Sequence, residues 1–377
     1  MDKKIAFLFG AGVSIPAKIP KTETITNKIF TGEGIVRGTA EDYFFDNPEK
    51  FFWDPYQGYI PRIISFLKLL ENELQNYYRK STEPITYEDL YYLLDFIRKN
   101  IFGSEINPSF RYLLKNFEAN LVEFLSPLDP LNNSKIALED FLDETIKYIE
   151  FSVILSLSKK AESYKGLSLL NEVIQEQSFN KIDIYTLNHD KVIEEYLLYE
   201  KIAFCEGFGR DEDGFRFWDI SLFEAQNRIA LYKLHGSVDW YYFDERSWTD
   251  RRICKCSPDV LWRENRKPIL LIGTYNKLAS YIKSIYLELF YKFYTTLTSH
   301  NVIIVSGYSF GDKGINEKLF DWVLTGNNKM IIIDPYVDNL KNKLWTVLLS
   351  EWEKENKIIP IKGNIEDVTL SRISKYL

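Results

Sequence analysis

A parallel α/β sheet carrying a large all-helical insertion is the fold class predicted for this 377-residue chain. Three observations predict it. Short, continuous apolar runs recur, each ending in glycine or polar residues and followed by helical spacing, which is the Rossmann-like rhythm of a sheet covered on both faces. A long block, residues 61–179, instead keeps its apolar residues at helical spacing throughout. Finally, the first apolar run, Ile5 to Phe9, breaks abruptly into Gly10-Ala11-Gly12-Val13-Ser14. That is how a buried parallel strand turns into a loop able to cradle a phosphate, since glycine admits close approach and the following N–H groups point at an anion. An ordinary strand-to-helix turn is the competing reading of those glycines.

The elements follow in order. Residues 5–9 form the first strand, and the loop runs from Gly10 to Pro20. Thr22 to Thr26 starts a short helix. Residues 31–60, punctuated by Gly32, Gly34, Gly38, Pro48, Pro55 and Gly58, are expected to be irregular packed loop. Helical segments are then carried by Ile63, Ile64, Leu67, Leu70 and Leu74; by Leu90, Leu93, Leu94, Ile97 and Ile101; by Leu113, Leu114, Phe117, Leu121 and Leu125; and by the runs 136–164 and 167–177. Their apolar stripes read as core. At Ile182 the strand rhythm returns, ending in Thr186-Leu187-Asn188-His189-Asp190, with a helix over 192–199. Residues 205–219 read as loop. The run 229–234 is a strand ending in His235-Gly236-Ser237. Residues 244–268 read as charged loop, and 268–272 as a buried strand ending in Gly273-Thr274. A helix over 278–299, a strand over 302–305 ending in Ser306-Gly307-Tyr308-Ser309, a helix over 315–324 and a strand over 330–333 ending in Asp334 follow. A helix over 338–354, a strand over 358–361 and a short helix complete the pattern. The expected division is a sheet domain of residues 1–30 and 180–377, interrupted by 31–179.

A net charge of −7 disfavours direct nucleic-acid binding, which normally shows a basic face. No run approaches the ~20 apolar residues of a membrane span, and the three cysteines, Cys205, Cys254 and Cys256, fit a reducing compartment better than a disulfide framework. A cytoplasmic protein is therefore expected. Aromatic residues make up 16% of the chain, a content that suits permanent interfaces as well as a large core and so points to a homo-oligomer.

Ligands of such sheets sit outside the carboxyl ends of the strands, and here those ends carry reactive side chains. His235 is either a capping or core histidine or an acid–base group able to exchange a proton near neutral pH. Asn188 either starts a helix or, beside Thr186 and Asp190, orients a nucleophile or substrate. Asp190 either accepts from a sugar or amide or favours a helix N-terminus. Ser309 is a phosphate or ribose contact or a plain turn. Asp334 matches the acidic residue that holds a ribose hydroxyl, or is the turn residue before Pro335.

In this order, Gly10-Ala11-Gly12-Val13-Ser14 with Ile19-Pro20, Thr186 to Asp190, Leu234-His235-Gly236 and Ser306-Gly307-Tyr308-Ser309 resemble the motifs of the sirtuin family. The resemblance implies a sirtuin-type NAD fold. It implies that Gly10, Ala11, Gly12, Ser14, Pro20, Gly307 and Ser309 hold NAD. Thr186, Asn188 and Asp190 would line the nicotinamide and ribose pocket, and His235 would be the catalytic base. Asp334 stands where the family usually has Asn near the adenosine ribose.

The departures are informative. Lys21-Thr22-Glu23-Thr24 replaces the Phe-Arg segment of classical deacylases. Three cysteines cannot supply the four ligands of a zinc ribbon, and Cys254-Lys255-Cys256 lacks the two-residue spacing of a structural site, so no zinc ribbon and no metal are expected. Thr274 stands where a deacylase often has Glu. With the helical block, this pattern is similar to bacterial sirtuin-like effectors of anti-phage defence, which hydrolyse NAD. The resemblance then implies an NAD glycohydrolase with NAD as substrate, and a separately encoded partner: a HerA-type hexameric ATPase, or alternatively a short Argonaute. An NAD-dependent protein deacylase and a non-catalytic module sensing NAD or ADP-ribose are the alternatives.

Overall fold

The computed structural model describes residues 3–37, 43–45, 58–77, 84–102, 124, 137–244, 251–256, 268–273, 284–339, 353 and 355–377. In chain order the strands are β1 (Lys3–Phe9), β2 (Ile35–Arg37), β3 (Tyr43–Phe45), β4 (Phe179–Thr186), β5 (Phe215–Phe217), β6 (Ile229–Lys233), β7 (Gly236–Asp244), β8 (Arg251–Cys256), β9 (Pro268–Leu270), β10 (Val302–Ser306), β11 (Lys329–Asp334) and β12 (Ile358–Lys362). The main helices are α1 (Thr22–Thr31), α2 (Tyr59–Tyr77), α3 (Tyr87–Phe102), α4 (Leu138–Leu157), α5 (Ser168–Gln175), α6 (Val192–Tyr199), α7 (Ser284–Leu297) and α8 (Lys313–Leu324). Two compact units result, one of residues 1–19, 157–271 and 277–377, the other of 20–156 and 272–276.

The first unit is built on a six-stranded sheet ordered β12-β11-β10-β1-β4-β6, with every pair parallel. Counting these six strands in chain order, the sheet runs 3-2-1-4-5-6 from the β6 edge, the order of a doubly wound dinucleotide-binding sheet. The sequence dictates it simply. β1, β6 and β10 bury their residues on both faces, which only a sheet with helices on each side permits. Ala6, Leu8, Ile303, Val305, Met330 and Ile332 join one core cluster with Leu289, Phe293 and Leu297 of α7 and Ile315, Leu319 and Trp322 of α8. The alternate residues, Phe7 and Phe9 of β1 and Ile182 and Ile184 of β4, are fully buried as well, and α5 lies against β4. The strand order reverses between β1 and β10, the point in sheets of this type beyond whose carboxyl strand ends ligands bind.

A second, antiparallel sheet, β5-β8-β7-β9, belongs to the same unit and corrects the expected loop at 244–268. In β8, Cys254 and Cys256 pack with Tyr241 while Ile253 and Lys255 alternate with them on the other face. Arg251, Arg252 and Lys255 put charges on both faces and so disguised a period-two strand as a polar loop. The apolar run 268–272 likewise supplies β9, an antiparallel neighbour of β7 outside the parallel sheet.

The second unit is mainly helical. α1, α2 and α3 pack on one another, and Ile25, Ile29, Ile63, Phe66, Leu70, Leu90, Leu94, Phe141 and Ile149 are buried at helical spacing. Residues 31–60 hold a short antiparallel pair, β2 with β3, where irregular loop was expected. That pair is pinned by a buried ion pair, Arg37 to Glu144 at 2.7 Å, and by the Tyr43 hydroxyl on the same carboxylate. The helical segment expected at 113–125, apart from Phe124, and most of the helix expected at 338–354 lie outside the described residues. Among the described residues no helix is long and apolar enough to cross a membrane.

Candidate functional site

The glycine loop sits at the reversal of strand order. Gly10 N–H donates to the Ser306 carbonyl (3.0 Å), adding one rung beyond the β1–β10 ladder, and Gly12 N–H donates to the Gly307 carbonyl (3.0 Å). The two turns touch through their backbones. A Cβ on Gly12 would lie 2.5 Å from Gly307 Cα, and Gly307 itself adopts φ +64°, the left-handed region that favours glycine. Ala11 to Ser14 then close a single 3-10 turn, with Ser14 buried and Ala11 exposed. Ser309, beyond the second turn, is exposed.

From the neighbouring strand β4, Thr186 donates to the Phe9 carbonyl (3.3 Å) and accepts from the Asn188 amide N–H (3.1 Å). This fixes the backbone from which the Asn188 side chain reaches across to the loop. Asn188 Nδ2 donates to the Gly10 carbonyl and to Ser14 Oγ, both at 3.0 Å. A carbonyl oxygen only accepts, so the nitrogen faces the loop and Oδ1 is the acceptor side of this amide. Asn188 therefore ties the loop to the end of β4.

Asp190 makes the helix-start contact: its Oδ1 accepts from Val192 N–H (3.0 Å) at the head of α6. Its carbonyl receives the buried Lys233 ammonium, which also pairs with Glu194 at 2.8 Å. Behind this pair lie Glu206, Asp239 and Lys255. Burial opposes the Asp239 carboxylate, yet Lys255 and Lys233 outweigh it and hold its pKa below the ordinary carboxylate value. Burial likewise opposes the Lys255 ammonium, and Asp239, Glu206 and Glu194 hold its pKa up. Burial raises Glu194, against the pull of Lys233. Lys233, Glu194, Glu206 and Asp239 are at most 5% exposed and Lys255 15%, so their mutual pairing is what offsets the cost of burying them.

His235 follows β6 and is 3% exposed. Its carbonyl accepts from Leu271 N–H (2.9 Å), and Gly236 turns the chain at φ +82° into β7. Its Nε2 lies 3.1 Å from Asp312 Oδ2. Asp312, also buried, was not singled out from the sequence. Its local signal, Gly-Asp before a helix, is that of a cap, and it does cap α8 through Ile315 N–H (3.2 Å). Its partner is 77 residues away in the chain, which no local pattern reports. The Tyr308 hydroxyl accepts from Asp312 N–H (3.1 Å) and donates to Asn316 Oδ1 (2.8 Å); burial raises its pKa, so it stays a donor.

Gly10, Gly12, Ser14, Thr186, Asn188 and Gly307 are thus joined by direct contacts, and Asp190 and His235 occupy the ends of the neighbouring strands. Asp334 ends β11, where its half-buried carboxylate accepts from Tyr336 N–H (2.7 Å); burial raises its pKa. Pro20 belongs to the second compact unit. Thr274 lies outside the described residues. Cys205 sits in the large core cluster and Cys254 and Cys256 in a separate small one. Among the described residues no group of three or more His, Cys, Asp or Glu could hold a metal ion.

A cavity of about 710 Å³ opens at the opposite, amino-terminal edge of β1, β4 and β6, lined by Lys4, Lys181, Asp183, Arg228 and Thr296 among others. Two of its cations are engaged by backbone carbonyls. Lys181 donates to the Asn227 carbonyl (2.8 Å) and Arg228 to the Phe179 and Ile174 carbonyls (3.0 and 2.8 Å).

Residues 183–356 match a family model described as a SIR2-like domain. Solved structures similar to the chain include a Sir2 mutant with a p53 peptide and NAD (11% identity, TM-score 0.38). A Sir2 mutant with a deacetylated p53 peptide and an acetyl ADP-ribose is similar at 10% identity and TM-score 0.39. Sir2 bound to an acetylated peptide is similar at 11% identity and TM-score 0.34. Each alignment covers 99% of this chain and 93% of the other. No curated protein matches the chain.

Proposed function

We propose that the chain is an NAD glycohydrolase that releases nicotinamide and ADP-ribose. The observation that carries the proposal is the pairing, at the carboxyl edge of a dinucleotide-type sheet, of an amide tied to the glycine loop with a buried histidine. The SIR2-like match over residues 183–356 supports NAD as the nucleotide.

In this reading Gly10, Ala11, Gly12, Ser14, Gly307 and Ser309 hold the pyrophosphate and its ribose, where glycine admits close backbone approach. Thr186 and Asp190 line the nicotinamide end, and Asp334 the adenosine ribose. The bond between ribose C1′ and the nicotinamide nitrogen breaks, and its electron pair leaves with neutral nicotinamide. Water attacks the oxocarbenium-like C1′, oriented by acceptance at Asn188 Oδ1. His235 takes the water's proton, directly or through a ribose hydroxyl, and returns it to solvent. General-base assistance of this kind is worth about 100- to 10,000-fold.

The wider proposal is an NAD-depleting effector of anti-phage defence. It would act in the cytoplasm as a homo-oligomer with a separately encoded partner, a HerA-type ATPase before a short Argonaute. The test is chromatography of NAD incubated with the protein, alone and with each partner. Nicotinamide release should fall at least ~100-fold in Asn188→Ala and in His235→Ala. Release unchanged in both variants overturns the assignment. Product formed only with an acylated peptide, as an acylated ADP-ribose, would instead make it a deacylase.

A further inference from the structure

We infer that Asp312 is a positioning residue for His235, holding the imidazole as the Nε2–H tautomer so that Nδ1 is the nitrogen that exchanges the proton. The inference rests on the hydrolase reading for its chemistry, and on the geometry alone for the tautomer.

A carboxylate at this distance only accepts, so the hydrogen of the neutral ring belongs on Nε2, 3.1 Å from Asp312 Oδ2. The second ring nitrogen then carries the lone pair. The two side chains are 4% and 3% exposed, where a charged acceptor holds its donor more firmly than in water.

Asp312 is itself held from three directions. Its Oδ1 accepts from Ile315 N–H at the head of α8 (3.2 Å), its own N–H donates to the Tyr308 hydroxyl (3.1 Å), and its carbonyl accepts from Asn316 N–H (3.0 Å). The turn leading into it contains Phe310 at φ +58°, a left-handed conformation that a non-glycine residue keeps only where the surroundings over-determine it. Here Asn316 Nδ2 grips the Phe310 carbonyl at 2.7 Å. A residue needed only to cap α8 would not require its second oxygen on a histidine from another strand. When water is deprotonated, the same carboxylate stabilises the imidazolium that forms, and it takes no proton itself. The turn that carries Asp312 begins at Gly307, against the glycine loop, so one segment touches both the loop and the base.

Two variants separate this role from the cap. Asp312→Asn keeps a good N-cap but replaces an obligate acceptor by an amide that can donate to Nε2. Asp312→Ser keeps the cap with a side chain too short to reach the ring. Nitrogen-15 spectra of labelled protein, assigned through His235→Ala, report the tautomer without any turnover. The wild type should show a protonated Nε2 and a lone pair on Nδ1, and both variants should lose that preference. In the nicotinamide assay kcat should fall about 100-fold or more with KM within about threefold, since substrate contacts are untouched. A wild-type Nδ1–H tautomer, or variants retaining the wild-type tautomer and kcat, overturns the inference. A wild type that cleaves no NAD sinks the hydrolase reading, while the spectra still decide what Asp312 does.

Discussion

Gly307 shows at the scale of one residue why the loop is made as it is. Its φ of +64° and its contact with the glycine loop leave no room for a side chain: a Cβ would fall 2.6 Å from Val13 N. Gly307→Ala should therefore destabilise the protein by about 1–3 kcal/mol, read as a lower urea midpoint, and should depress nicotinamide release by displacing the turn that leads to Asp312. An unchanged midpoint would mean that the two turns do not meet as described. Asp190 and Asp334 teach the opposite lesson. Each was singled out for a ligand contact, and each also satisfies a nearby backbone N–H, at Val192 and Tyr336. The type of residue at a strand end was legible in the sequence; which of its two uses it serves depends on partners the sequence does not order.

At the scale of elements, legibility followed burial. All six parallel strands were readable because both faces are covered, leaving continuous apolar runs such as Ile303 to Val305. β8 and β2 were not, because a strand interrupted by charges on both faces, or one only three residues long, has no such run. The residues gathered around Asn188 were legible as strand-end groups because they lie within a few residues of strand ends; the contact of Asp312 was not, because its histidine arrives from another element. The end of α7 makes a separate prediction. His300, fully buried beyond it, donates from Nδ1 to the Thr296 carbonyl (3.0 Å) and faces Asp183 with Nε2 at 3.3 Å. Burial lowers its pKa, with Asp183 working the other way. The unfolded chain then takes up a proton near the ordinary histidine value of about 6.5, while the folded chain resists it. Stability is present above that pH and falls as pH drops below it, by at most about 1.4 kcal/mol per pH unit for one proton. Melts between pH 7.5 and 5.5 should show this slope, and His300→Asn, which keeps a donor for Thr296, should flatten it. Identical slopes in both proteins would remove His300 as the cause.

At the scale of the whole molecule, charge and aromatic content bear on partners. An acidic chain of net charge −7 has no general electrostatic attraction for a phosphate backbone, so recognition of nucleic acid, if the defence reading holds, has to come from the separate partner. The chain alone should bind neither a DNA duplex nor a single strand at about 0.15 M salt, the physiological range in which non-specific contacts are already screened. Its 51 Tyr and Phe residues (25 and 26) exceed what surface function ordinarily needs, and large exposed side chains such as Leu198, Tyr199, Tyr291 and Tyr336 remain on the first unit. Such residues are enriched where protein surfaces meet. Light scattering on the isolated chain at micromolar concentration should then return a multiple of 44.5 kDa, and addition of the ATPase should shift that mass to a larger stoichiometric complex. A mass of 44.5 kDa that persists with concentration and with partner would leave the catalytic proposal intact, since every residue it names lies in one chain, and would remove both assembly proposals together.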